Sequence, residues 1–111
     1  MIADARTLIE TRSWRSATNR LYYACFYATS ALLLTKGLES SKHSGVRSLF
    51  NQHFVKTGVV QKELGDIFQM MFSRRQDGDY DDSKQVSDAD VLRLLPECQR
   101  FVQEIERIIS T

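Results

Sequence analysis

One segment constrains this chain more than any other. Between Trp14 and Leu34 the apolar residues Trp14, Ala17, Leu21, Tyr22, Ala24, Cys25, Phe26, Ala28, Leu32, Leu33 and Leu34 fall on every side of a helical wheel. A helix that is apolar all round must be covered all round, so it is the central element of a bundle or also serves a partner interface. The rest of the chain offers helical spacing and no convincing strand alternation. With only 5 Gly and 1 Pro in 111 residues, a loop-rich all-β fold does not fit.

The central helix carries its own exception. Asn19, Tyr23 and Tyr27 are spaced four apart, which places an amide and two phenols on one face. Buried polar groups need partners. Downstream, Lys42-His43-Ser44-Gly45 and Arg75-Gln76-Asp77-Gly78-Asp79-Tyr80 are the supply. A polar seam inside a helical bundle is therefore the first place to look for function.

Four further helices are expected. The first is short, from about Ile2 to Thr11. The central one is capped by Ser13 and stopped near Lys36 by Gly37. A third, capped by Ser41 and ended by Gly58, aligns Val46, Leu49, Phe50 and Phe54. A fourth carries Val60, Leu64, Ile67, Phe68 and Met71 and ends near Arg75, because Asp77-Gly78 is a turn signal. The acidic stretch from Asp77 to Ser83 then reads as a solvated loop. The last helix opens on a capping-box-like Ser87 with Asp90 and shows Val91, Leu94, Leu95, Cys98, Phe101, Val102, Ile105 and Ile109. Pro96 lies inside it and is expected to kink or split it. The expectation is all-α: one domain over residues 1–111, an up-and-down bundle of four to five helices.

Composition narrows the function classes. A net charge of +1 gives no whole-protein field for nucleic acid, although a local patch can exist. Cys25 and Cys98 sit in apolar helical patterns with no metal-ligand spacing, which reads as two core thiols in a reducing cytosol. No signal-peptide pattern follows Met1, and the longest apolar run, Leu21 to Leu34, is short of the about 20 residues that span a bilayer. The chain is expected to be cytoplasmic, without a membrane segment, metal or cofactor.

Three positions are candidates for chemistry. His43 follows Lys42 at a helix start, where backbone N–H groups favour an anion such as phosphate. Arg47 precedes His53 by six positions within one helix, a rotation of roughly 120° apart, so those two do not converge. Arg75 precedes Asp79 and Tyr80 across an expected helix end, where side chains can fold back toward one point. A structural ion pair of Arg75 with Asp79 explains the same pattern.

Taken in order, Asn19-Arg20-Leu21-Tyr22-Tyr23-Ala24, Lys42-His43-Ser44-Gly45-Val46, Phe54-Val55-Lys56-Thr57-Gly58, Arg75 to Tyr80 and a closing Phe101-Val102 helix resemble the HEPN domain. The likeness covers nearly the whole chain. It is greatest to a small stand-alone prokaryotic branch with a terminal Asp-Tyr after the arginine. The resemblance implies a helical bundle that dimerises, often beside a small nucleotidyltransferase partner in a toxin–antitoxin module. Many members are metal-independent ribonucleases that use an Arg followed four to six residues later by His. The matching Arg is Arg75, and where those enzymes have His this chain has Asp79 and Tyr80.

A carboxyl with pKa near about 4 and a phenol near about 10 are poorly matched to proton transfer at neutral pH. The reading is therefore a binding module for nucleotide or RNA without ribonuclease activity, with Asn19, Tyr23, Tyr27, His43, Arg75, Asp79 and Tyr80 lining or supporting the site. No catalytic residue is assigned. The competing readings are a ribonuclease toxin using Arg75 with Asp79, Tyr80 or His43, and a purely structural dimerisation domain.

Overall fold

Trp14–Leu34 forms one helix, α2, and the other elements pack on it: α1 (Ile2–Glu10), α3 (His43–Phe50), α4 (Lys62–Tyr80) and α5 (Asp88–Ser110). These come from a computed structural model that describes the backbone of residues 2–10, 14–80 and 88–111, and the side chains of 2–10, 16–73 and 91–111. Among the described residues there is no strand, and no helix is long and apolar enough to cross a membrane. The expected Ser13 cap, the Ser87–Asp90 capping box and the loop from Asp81 to Ser83 lie outside the described residues.

α2 is covered on most of its circumference, while Ser16, Arg20, Tyr27, Ala31 and Leu34 stay exposed along one stripe. Ala17, Leu21, Tyr22, Cys25, Leu32 and Leu33 are all buried, against Ala5 of α1, Val46 and Phe50 of α3, Phe68 and Met71 of α4, and Val91, Cys98, Phe101 and Ile105 of α5. Below it, three outer helices meet through a triangle of rings. Phe50 lies 5.5 Å from Phe68 and 6.0 Å from Phe101, and Phe68 lies 5.8 Å from Phe101. Centroid distances in this range are those of favourable aromatic pairs.

The end of α2 is set by Gly37. Its φ of 69° is left-handed, its N–H bonds to the Leu34 carbonyl, and the next N–H, of Leu38, reaches back to Leu33. This paired arrangement satisfies carbonyls that a helix end would otherwise leave open, and Gly pays no Cβ penalty there. The helix proper stops at Leu34, slightly before the Lys36 expected from sequence.

Three local expectations are corrected. The N-cap of α3 is Lys42, not Ser41, and it makes no side-chain cap bond. Instead Ser40 Oγ accepts the Lys42 N–H at 3.2 Å and lies over Gly45. After Phe50 the helix loosens into a π-helical turn, Asn51–Val55, in which the Lys56 N–H reaches the Asn51 carbonyl. The expected single helix to Gly58 is thus two segments. In α4 the helix runs through Asp77-Gly78 to Tyr80 instead of stopping near Arg75. A helical Gly costs about 1 kcal/mol relative to Ala, which the ladder and the packing of α4 can absorb. Pro96 does not split α5. It and Leu92, the residue whose carbonyl it leaves without a donor, are both exposed, so water can take that bond.

Cys25 and Cys98 are fully buried free thiols that join α2 to α5. Their sulfurs are 3.0 Å apart, and Cys98 Sγ also donates to the Leu21 carbonyl at 3.2 Å. The hydrogen bond to Cys98, and then burial, push the Cys25 thiol well above its ordinary range.

Two tests follow from this packing. A Cβ on Gly45 would lie 2.1 Å from Ser40 Oγ and 2.8 Å from its Cβ. Gly45→Ala is expected to destabilise by about 1–2 kcal/mol in urea unfolding. In a Ser40→Gly background the same change becomes neutral or stabilising, because the better helix propensity of Ala is then unopposed. The raised Cys25 pKa adds a pH slope. The native state holds a proton that the unfolded state releases near roughly pH 8.5, so this contribution is intact below that value and is lost as pH rises above it. Unfolding curves between pH 7.5 and 10 (approximately) should show a steeper loss for the native chain than for Cys25→Ala.

Candidate functional site

Tyr22 is a large polar-tipped residue with no solvent exposure, so its hydroxyl must find a partner inside. It finds His43, the first residue of α3, whose Nδ1 lies 2.7 Å from the phenol oxygen. Which group donates depends on the imidazole tautomer: with the ring hydrogen on Nε2, the phenol O–H donates to Nδ1. The short connection after Gly37 delivers His43 to this height on α2.

The imidazole is also enclosed by rings. It stacks on Phe26 with centroids 4.2 Å apart and planes 17° from parallel. Tyr22 lies nearly parallel at 5.7 Å, and Tyr23 meets the ring edge-on at 5.8 Å and 88°. Residues 22, 26 and 23 share this arc of α2 because at 3.6 residues per turn they fall within about 100° of one another.

Arg47 follows His43 by one turn of α3, so both project to the same side. Its guanidinium lies 4.4 Å over the Phe72 ring of α4, and one N–H donates to Gln69 Oε1 at 3.3 Å. Gln69 in turn donates to Ser73 Oγ at 3.3 Å, which orients the amide. Phe72 touches Tyr22 at 6.3 Å. Imidazole and guanidinium therefore rest on one aromatic floor built by α2 and α4. A guanidinium has five N–H donors, and Gln69 takes one of them. Lys42 and Arg47 stand on or beside α3, which has no acidic residue, so two positive charges flank His43 in a chain that is nearly neutral.

The residues singled out from sequence are distributed as follows. Tyr23 and His43 come together. Asn19 is half-buried one turn before Tyr23 and makes no side-chain hydrogen bond among the described residues. Tyr27 is 52% exposed and turns away from His43. Its ring keeps contact with Tyr23 at 5.7 Å while lining an apolar groove of about 550 Å³ with Ile2, Ala28, Ala31 and Val102. Arg75, Asp79 and Tyr80 belong to the last turns of α4, and their side chains lie outside the described residues. Because the helix continues, positions 75 and 79 share a face, whereas 80 is rotated roughly 140° from 75. His53 is exposed in the π-helical turn.

Sequence reasoning left Tyr22 and Phe26 in the core and set Arg47 aside. The one available signal was the four-residue spacing of His43 and Arg47. Among the described residues no group of three or more His, Cys, Asp or Glu side chains could hold a metal.

The described geometry is that of a helical bundle with an aromatic–imidazole cluster at the start of its third helix. A family model described as the HEPN domain matches residues 1–108. The chain belongs to the HEPN domain family. Among curated relatives, a "UPF0332 protein" of Thermotoga maritima is 46% identical over 107 residues, covering 96% of this chain and 81% of the relative. A protein of Methanocaldococcus jannaschii named "Putative toxin MJ0605" is 32% identical over 109 residues, covering 98% of this chain and 81% of its own. A second protein of that organism, "Putative toxin MJ0142", is 30% identical over 105 residues, covering 95% and 71%.

The Tyr22–His43 bond is open to direct test. Tyr22→Phe keeps the ring and its packing but removes the hydroxyl that bonds Nδ1 of His43. The expected cost is about 1 kcal/mol in chemical unfolding, with the helical circular dichroism spectrum unchanged.

Proposed function

We propose that this HEPN domain binds nucleotide or RNA at the face where α3 meets α2 and α4, and that it does so without cleaving RNA. The observation that carries the reading is the pairing of His43 and Arg47, one turn apart on a floor made of Tyr22, Phe26 and Phe72. A guanidinium with spare donors suits a phosphate, and aromatic side chains beside it suit a base. Arg75, in the turn of α4 that follows Phe72, would add a second phosphate contact, and Asp79 would orient it from one turn further on. Tyr23 and Asn19 would support the base-facing side.

The reading against cleavage rests on chemistry. Metal-independent hydrolysis through the 2′-hydroxyl needs a group that both takes and gives a proton near neutral pH. The positions four and five residues after Arg75 hold Asp79 and Tyr80. The names of the two Methanocaldococcus relatives favour a second reading, a ribonuclease toxin in which Arg75 works with Asp79, Tyr80 or His43. In either case the domain would act as a homodimer beside a small nucleotidyltransferase, in a toxin–antitoxin-like pair.

One experiment separates the two. Purified protein is titrated with a short single-stranded RNA and with ATP, in chelator, and the RNA is then resolved on a gel. Arg47→Ala and Arg75→Ala are each expected to weaken binding about tenfold, the worth of one charge-assisted hydrogen bond, while the melting curve stays cooperative. The RNA should remain intact after long incubation. Cleavage by the native protein that Arg75→Ala abolishes would establish the second reading. Unchanged affinity in both variants would remove the first.

A further inference from the structure

We propose that Cys25 and Cys98 are a site of oxidative modification, at which hydrogen peroxide closes a disulfide between α2 and α5. The two sulfurs already stand 3.0 Å apart, about 1 Å beyond a disulfide bond length, and each is carried by a regular helix. The chain has 2 cysteines, so each thiol has one intramolecular partner and that partner is in contact. Neither thiol is exposed, which leaves no surface sulfur to compete for pairing with another chain.

The hydrogen bonds order the pair. Cys98 donates its S–H to the Leu21 carbonyl, so the Cys25 S–H is directed at the Cys98 sulfur. In that state each S–H is held in a hydrogen bond and is slow to react. Reaction needs a local opening of the α2–α5 contact that lets one thiol lose its proton and admits the oxidant. That thiolate attacks one peroxide oxygen, the O–O bond breaks, a sulfenic acid forms, and the departing hydroxide takes up the released proton as water. The second sulfur then attacks the sulfenic sulfur. The S–S bond forms, the S–O bond breaks, and the hydroxide leaves with the second thiol proton as another water. Two thiols lose two electrons and one peroxide becomes two waters. Because the second thiol is already adjacent, the sulfenic acid is captured before it can advance to the sulfinic level.

The consequence reaches the binding face. Cys25 is one turn after Tyr22 on α2, and Leu21, whose carbonyl receives the Cys98 S–H, immediately precedes it. A disulfide there removes that donor and fixes α5 against the segment that presents Tyr22 to His43. The cross-link joins positions 73 residues apart, a long loop for the unfolded chain to carry.

The test uses the whole chain treated with excess hydrogen peroxide. After alkylation under denaturing conditions, the expected product has lost two hydrogens, takes up no alkyl groups, and yields one peptide pair linking Cys25 to Cys98. Its melting temperature should rise on the order of 10 °C and return on adding a thiol reductant. Cys25→Ala and Cys98→Ala should each give no such species and should let the remaining sulfur proceed to sulfinic acid. The proposal is overturned if both thiols stay alkylatable after the methionines have oxidised. It is overturned equally if either sulfur of the native chain reaches the sulfinic state unlinked, or if the cross-linked form melts lower.

Discussion

The rest of the structure depends on the need to cover α2. A helix with buried residues on most of its circumference cannot be satisfied by one neighbour, and in a chain of 111 residues every other element must be spent on it. That requirement packs α1, α3, α4 and α5 around α2. It also brings Phe50, Phe68 and Phe101 together from three different helices. The hydrophobic effect supplies the drive, and ring packing makes the arrangement specific.

The proposed binding face arises from the same requirement. Burying Tyr22 obliges the fold to bring a hydrogen-bonding group to its hydroxyl, and His43 is that group. Once α3 begins at His43, the helical repeat sets Arg47 over Phe72 without any further device. A polar contact enforced by burial thus gathers two nitrogen-rich side chains on an apolar floor. The exposed ion pair of Arg107 with Glu104 on α5 shows the contrast. There the guanidinium holds the carboxyl below its ordinary range, yet the pair lies three residues apart on one helix near the surface and joins no two elements.

The bundle was legible in the chain because helical periodicity, Gly37 and the all-round apolar segment agree with one another. The family was legible too, from weak motifs whose order was informative. The site was legible only in part. Tyr23 and His43 were found because a phenol on a helix face and a histidine at a helix start each stand out locally. Tyr22 and Phe26 were not, since spacing along a helix identifies a face but not which neighbour covers it. Arg47 was set aside for its poor relation to His53, while its partners, Gln69 and Phe72, lie on another helix altogether. Asp77-Gly78 misled for the opposite reason. A strong local turn preference was outweighed by the continuation of the α4 ladder.

The stop at Gly37 has a bearing on how such chains can vary. Between it and His43 there are only five residues, so this connection works as a ruler: its length decides at what level along α2 the imidazole arrives. Surface segments elsewhere can lengthen at small entropic cost. An added residue here would slide α3 along α2, separating His43 from Tyr22 and shifting Val46 and Phe50 out of their places in the interior. Within the fold, it is therefore the spacer and not the core that sets the tolerance for insertion.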